Sequence, residues 1–117
     1  MKQLDCAELN FLLDAAGAVI AFQEKNQSWA GALAFSSEAA ARRFIAASHL
    51  EVAELVTIAV EDQASVAALI AAMKKRPIRY LLLDLDYQSG GCRQVDFDGA
   101  RLGAVTPRQF VAAHDQH

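Results

Sequence analysis

Apolar positions along the chain follow two periods, one helical and one of strand type. Leu9, Leu12, Leu13 and Ala16 recur at three- and four-residue spacing behind Asp5, and Gly17 follows them. The pattern predicts a first helix with Asp5 as its cap and glycine as its stop. Ala18–Glu24 (AVIAFQE) and Trp29–Phe35 (WAGALAF) then read as strands. The polar residues Lys25, Asn26, Gln27 and Ser28 between them are few enough to predict an antiparallel hairpin. Ser36 and Ser37 compete to cap the helix EAAARRFIAAS, where Phe44 and Ile45 share a side with Ala40, Ala41, Ala47 and Ser48. Ala53–Val60 (AELVTIAV) is β-branched and apolar and predicts a buried strand. Behind Asp62 or Ser65 as cap, Val66, Leu69, Ile70 and Met73 form the clearest amphipathic stripe, ended by Lys74-Lys75-Arg76 and Pro77.

Ile78–Tyr87 (IRYLLLDLDY) is the longest strand candidate. Ser89-Gly90-Gly91 turns the chain back as CRQVDF, and Asp98-Gly99 turns it again into ARLGAV. Thr106-Pro107 has the form of a helix start, with Phe110 and Val111 as the apolar contact of that helix. The element order read in this way is α-β-β-α-β-α-β-β-β-α. It implies an α+β, α/β-like architecture: a single mixed sheet of five to six strands with helices packed on it, one domain over residues 1–117.

Composition narrows the function classes. The chain has 117 residues, of which 54% are hydrophobic, enough for one core without disulfide or metal support. Its net charge is −3, and the densest basic cluster, Lys74-Lys75-Arg76, belongs to a helix C-terminus. Nothing there makes a phosphate-binding surface, so no nucleic-acid partner is expected. Cys6 and Cys92 follow no metal or CxxC spacing, and the N-terminus lacks the apolar core of a signal peptide. No apolar run reaches the roughly 18 residues of a membrane span. A soluble cytoplasmic protein without membrane contact is expected. The glycines form no phosphate loop, His49, His114 and His117 form no ligand cluster, and no cofactor is expected.

The segment YLLLDLDYQSGG carries the strongest chemical suggestion. Phosphatases of the haloacid dehalogenase type need a lysine downstream of such an Asp-x-Asp pair, and none follows Asp86. A receiver domain needs an acidic pair near the first strand and a late lysine, which are missing as well. Two readings stay open. In one, Leu81, Leu83 and Leu85 face the core while Leu82, Asp84 and Asp86 turn toward solvent. In the other, Asp84 and Asp86 meet Asp96 and Asp98 of the returning strand and hold a divalent cation, with Arg93 and Arg101 near enough to neutralise them. Trp29 and Tyr87 each stand at a strand end, where an aromatic side chain either staples a core or anchors an interface. With Arg93 they would make a protein-binding patch.

LAFSSEAAARRFIAAS and LVTIAVEDQASVAALIAAMKKRPIRYLLLDLDYQSGG together resemble the N-terminal domain of SseB-like bacterial proteins, over about Ala18 to Gly91. An Asn-Pro pair expected at the close of the late strand is replaced here by Asp84-Leu85. The resemblance implies a small bacterial α/β module with no catalytic residues to carry over. The functional expectation is a non-enzymatic protein-interaction or regulatory module that binds an unidentified protein partner or a second copy of itself, through a sheet edge or through Trp29, Tyr87 and Arg93. The alternative is a divalent-metal-dependent hydrolase or ligand-binding domain using Asp84, Asp86, Asp96 and Asp98.

Overall fold

The computed structural model describes residues 4–24 and 28–110. Its elements run β1 (Glu8–Leu13), β2 (Ala21–Gln23), β3 (Ala30–Phe35), α1 (Glu38–Ser48), β4 (Glu54–Ala59), α2 (Gln63–Lys74), β5 (Ile78–Leu83), β6 (Gly91–Asp98) and β7 (Arg101–Gln109). The α+β class and the single mixed sheet hold. Among the described residues the sheet has seven strands, ordered β4-β1-β3-β5-β6-β7, with β2 pairing β3 as well. All neighbouring pairs are antiparallel except β3 with β5, which are parallel.

Two predicted helices are strands. In the first, Leu9 and Phe11 point to one face and Asn10 and Leu12 to the other, and all four are buried. β1 lies between β4 and β3, so both its faces meet apolar cover. A central strand of this kind has a continuous apolar run, which periodicity cannot separate from a helix. Buried Asn10 is satisfied: its amide donates to the Phe35 carbonyl at 3.2 Å, and the Thr57 hydroxyl donates to its Oδ1 at 2.6 Å. The second is the helix expected from Thr106-Pro107. Pro107 instead sits in β7 opposite Arg93. β7 is an edge strand, where a missing amide hydrogen costs no ladder bond. Val111 and the tail of that expected helix lie outside the described residues, as do Lys25, Asn26 and Gln27 of the β2–β3 hairpin.

The sheet is covered by α2 on one face and α1 on the other. Leu9, Phe11, Ala34, Leu81, Leu83 and Val95 pack toward Val66, Ile70 and Met73 of α2. Leu12, Leu33, Phe35 and Leu82 pack toward Ala41 and Phe44 of α1. Leu82 is therefore fully buried rather than turned to solvent, and Leu85 joins the α1 side rather than that of Leu81 and Leu83. Burial of each such leucine stabilises by about 1.5–3 kcal/mol. The helices are closed as their sequences require. Ser37 caps α1 by accepting from the Ala40 amide, and His49 ends it in the left-handed conformation with φ 57°. Asp62 caps α2, with Ser65 donating to it.

β3 and β5 form the centre. Ala30 pairs with Ile78 and Gly31 with Tyr80, so Arg79 is an extra residue that bulges outward. The bulge keeps Ile78, Leu81 and Leu83 on the α2 face while the Tyr80 ring lies over Gly31. A Cβ on Gly31 would approach Tyr80 Cε1 to 2.4 Å and Leu82 Cγ to 2.8 Å, both in the packed core. Gly31→Ala is therefore expected to destabilise by about 1–3 kcal/mol. Urea unfolding followed by circular dichroism checks this, and a variant as stable as wild type would contradict the packing described.

Candidate functional site

The carboxyl ends of the parallel strands β3 and β5 meet at one end of the sheet, and Asp84 closes that end. It follows β5 directly and holds φ at 56°, a left-handed conformation that Asp tolerates better than most residues. Its amide donates to the Ala34 carbonyl at 2.8 Å. One carboxylate oxygen accepts from the Ser36 amide at 2.8 Å, and the other accepts from the Ser36 hydroxyl at 2.8 Å and from Arg93 at 3.1 Å. Arg93 also reaches Asp5 at 3.2 Å. Ser36, one of the two candidate caps, thus serves Asp84 while Ser37 caps the helix. Two residues on, Asp86 accepts from the Ser89 hydroxyl and the Gln88 amide. Ser89's hydroxyl, with the backbone amides beside it, holds the Asp86 carboxyl below the usual range, so it stays anionic at neutral pH.

Between α1 and the 84–88 segment lies a cleft of about 790 Å³. Phe35, Phe44 and Leu85 form its apolar side; Ser37, Arg43 and Asp86 are among its polar lining. Tyr87 stands over it, 53% exposed, with its ring edge-on to Phe44 at 6.0 Å between centroids. Phe44 in turn contacts Phe35 and Phe22, at 5.4 and 6.4 Å. Tyr87 is thus an exposed aromatic whose base is held by a stack of buried rings. Of the serine hydroxyls in the cleft, that of Ser36 donates to the Asp84 carboxylate and that of Ser37 accepts from the Ala40 amide at the helix cap.

The residues singled out in the sequence do not form one patch. Trp29, 42% exposed, precedes the start of β3, whereas Tyr87 follows the end of β5. Because the two strands are parallel, they lie at opposite ends, roughly 17 Å apart along the strands. Arg93 pairs with Leu83 on the α2 face and is engaged by Asp84 and Asp5, while Tyr87 packs on the α1 side. The four aspartates do not converge either. Asp96 lies opposite Tyr80, near the other end of β5 from Asp84, and Asp98 sits farther along at the turn to β7, beside Arg101 at 3.7 Å. Among the described residues, no group of three His, Cys, Asp or Glu side chains is placed to hold a metal ion.

A second polar constellation was invisible in the sequence. On the α1-side face of β5–β6–β7, Tyr80 donates to Glu24 at 2.5 Å, and Arg108 pairs with Glu24. The Arg108 guanidinium also lies 5.1 Å over the Tyr80 ring and donates to Gln94 at 2.8 Å, which donates to Asp96 at 2.7 Å. Glu24 and Arg108 are 84 residues apart, so no local signal links them. Burial pushes the Glu24 carboxyl up, but the hydrogen bonds from Arg108 and Tyr80 with the Arg108 charge outweigh it, and the net shift is downward. Cys92 lies close by; burial pushes its thiol up, which leaves it protonated at neutral pH. Burial and the Asp84 charge do the same to Cys6, on the other side of the sheet.

Compared with protein-family models, curated proteins and solved structures, the chain matches none.

Two outcomes follow from this geometry. Asp84→Ala is expected to destabilise by at least about 2 kcal/mol, through lost hydrogen bonds and a strained φ, and Asp84→Asn by less. Because the role is structural, melts in EDTA and in excess Mg²⁺ should overlay for wild type and variants; a Mg²⁺-dependent rise absent from Asp84→Asn would overturn it. Glu24 has a folded-state pKa below its ordinary 4.5. Its stabilisation is therefore complete above pH 4.5 and is lost as pH falls through the lower folded value. Asp62 and Asp86 are shifted in the same direction. Thermal melts from pH 7 downward should show stability declining below about pH 4.5, with a shallower decline in Glu24→Gln.

Proposed function

We propose that the protein is a non-enzymatic interaction module that takes a peptide segment of a partner protein into the cleft between α1 and residues 84–88. The observation that carries this reading is Tyr87, an exposed aromatic seated edge-on against Phe44 at the mouth of that cleft. A ring already fixed by packing loses little freedom on binding, which is why aromatic anchors dominate the energetics of interfaces. The position supports the reading too, because open sheets bind ligands beyond the carboxyl ends of their parallel strands. A partner side chain that is apolar or aromatic would lie against the Tyr87 ring at the mouth of the cleft. The resemblance of Ala18–Gly91 to the SseB-like N-terminal domain belongs to the same reading, since that family likewise offers no catalytic residues.

The test is to pan a displayed random-peptide library on the protein and to remeasure each selected peptide on Tyr87→Ala. Tyr87 is half exposed, so the substitution leaves the core intact. Loss of about 2 kcal/mol in affinity, roughly thirtyfold, is expected for an anchor of this kind. Trp29→Ala, at the other end of the sheet, should leave the same peptides bound. Peptides indifferent to Tyr87, or the absence of any selected peptide, would count against the cleft.

A further inference from the structure

The two outer edges of the sheet are treated differently. β7 carries the features that keep an edge from pairing: Pro107, Arg101 and Arg108, and an irregular register with β6 between Val95 and Phe97. β4 has none of these. It reads ELVTIA, without proline, glycine or a cation, and among the described residues pairs residue for residue with β1 alone. The Val60 amide donates to the Ala7 carbonyl, so by the alternation of antiparallel pairing Val56 and Ile58 bond inward to β1. The backbone groups of Leu55 and Thr57 then face the open side. Beside the edge, Val56 and Ile58 line an apolar groove of about 300 Å³ together with Leu69 and Met73 of α2.

Charge decides the occupant. Glu54 opens this strand, Glu51, Glu61 and Asp62 flank it, and residues 50–62 contain no lysine or arginine; Arg76, which lines the groove, donates to the Val19 carbonyl. A second copy pairing antiparallel through its own β4 would set the Glu51–Glu54 end of one chain against the Glu61–Asp62 end of the other. Like charges opposed across strands destabilise the pairing. We propose that β4 is a docking edge for an extended segment of another protein, one with an apolar centre and basic residues toward its two ends. Its backbone would add a strand to the sheet, its apolar side chains would enter the groove at Val56 and Ile58, and its cations would lie against the flanking carboxylates. This surface is separate from the Tyr87 cleft, so either can fail without the other.

The probe is a synthetic peptide with a valine-rich centre between lysine ends, compared with its glutamate-ended counterpart by calorimetry and by amide hydrogen exchange on the intact protein. Expected are binding of the lysine peptide only, weakening with added salt, and new protection of the Leu55 and Thr57 amides. Glu54→Lys with Glu61→Lys should reduce affinity about tenfold or more. Ala59→Pro, at an exposed edge position, should weaken binding while the far-ultraviolet circular dichroism stays that of wild type. Equal binding of the two peptides, full binding by the charge-reversed variant, or no gain in protection at Leu55 and Thr57 would overturn the proposal. So would sedimentation showing that the protein alone is a dimer with those amides already protected, which would assign the edge to a second copy.

Discussion

Parallel neighbours cannot be joined by a tight turn, and β3 and β5 are parallel neighbours at the middle of the sheet. The chain between them must leave the sheet and return, and it does so through α1, β4 and α2. That detour supplies a helix for each face and one outer strand. Both faces of the central pair are therefore covered, which explains why Leu81, Leu82 and Leu83 are consecutive and all buried. The Tyr80 ring over Gly31 and the outward bulge at Arg79 adjust the pair so that neither face loses its packing.

The same constraint places the cleft. At the carboxyl end of a parallel pair both chains leave the sheet together, and the backbone groups there need partners. Asp84 supplies several at once, binding the Ser36 amide and hydroxyl through its carboxylate and the Ala34 carbonyl through its own amide. Arg93 balances its charge. The apparent chemical motif Asp-Leu-Asp is thus a joint. Its first carboxylate ties β5 to β3 and the second ties a turn to Ser89. Those groups are occupied, and the Tyr87 ring is the aromatic surface left exposed beside the joint.

The sheet's two edges extend the argument to the periphery. β7 is reached by a hairpin from β6 and is stiffened by proline and by the Glu24–Arg108 pair, whereas β4 lies midway along the crossover and, among the described residues, pairs with β1 alone. A sheet that does not close must leave two such edges, and they need not be equally guarded. Here the guard on β4 is its flanking carboxylates, which repel a copy of the same strand and attract a basic one.

Local chemistry was enough to place α1, α2, the β2–β3 hairpin and the turn at Asp98-Gly99, because caps, amphipathic spacing and turn glycines act over a few residues. Ser37, Asp62 and Gly99 do what their types predict. Residues 8–13 and 106–109 were misread because their state depends on position in the sheet. A central strand and a helix share the same apolar run, and a proline that starts helices also suits an edge. The pairing of β3 with β5, the tie from Asp84 to Ser36 across 48 residues and the Glu24–Arg108 contact leave no local trace. They arise only when distant segments pack, so the tertiary structure alone decided which carboxylates are joints and which aromatic stands over the cleft.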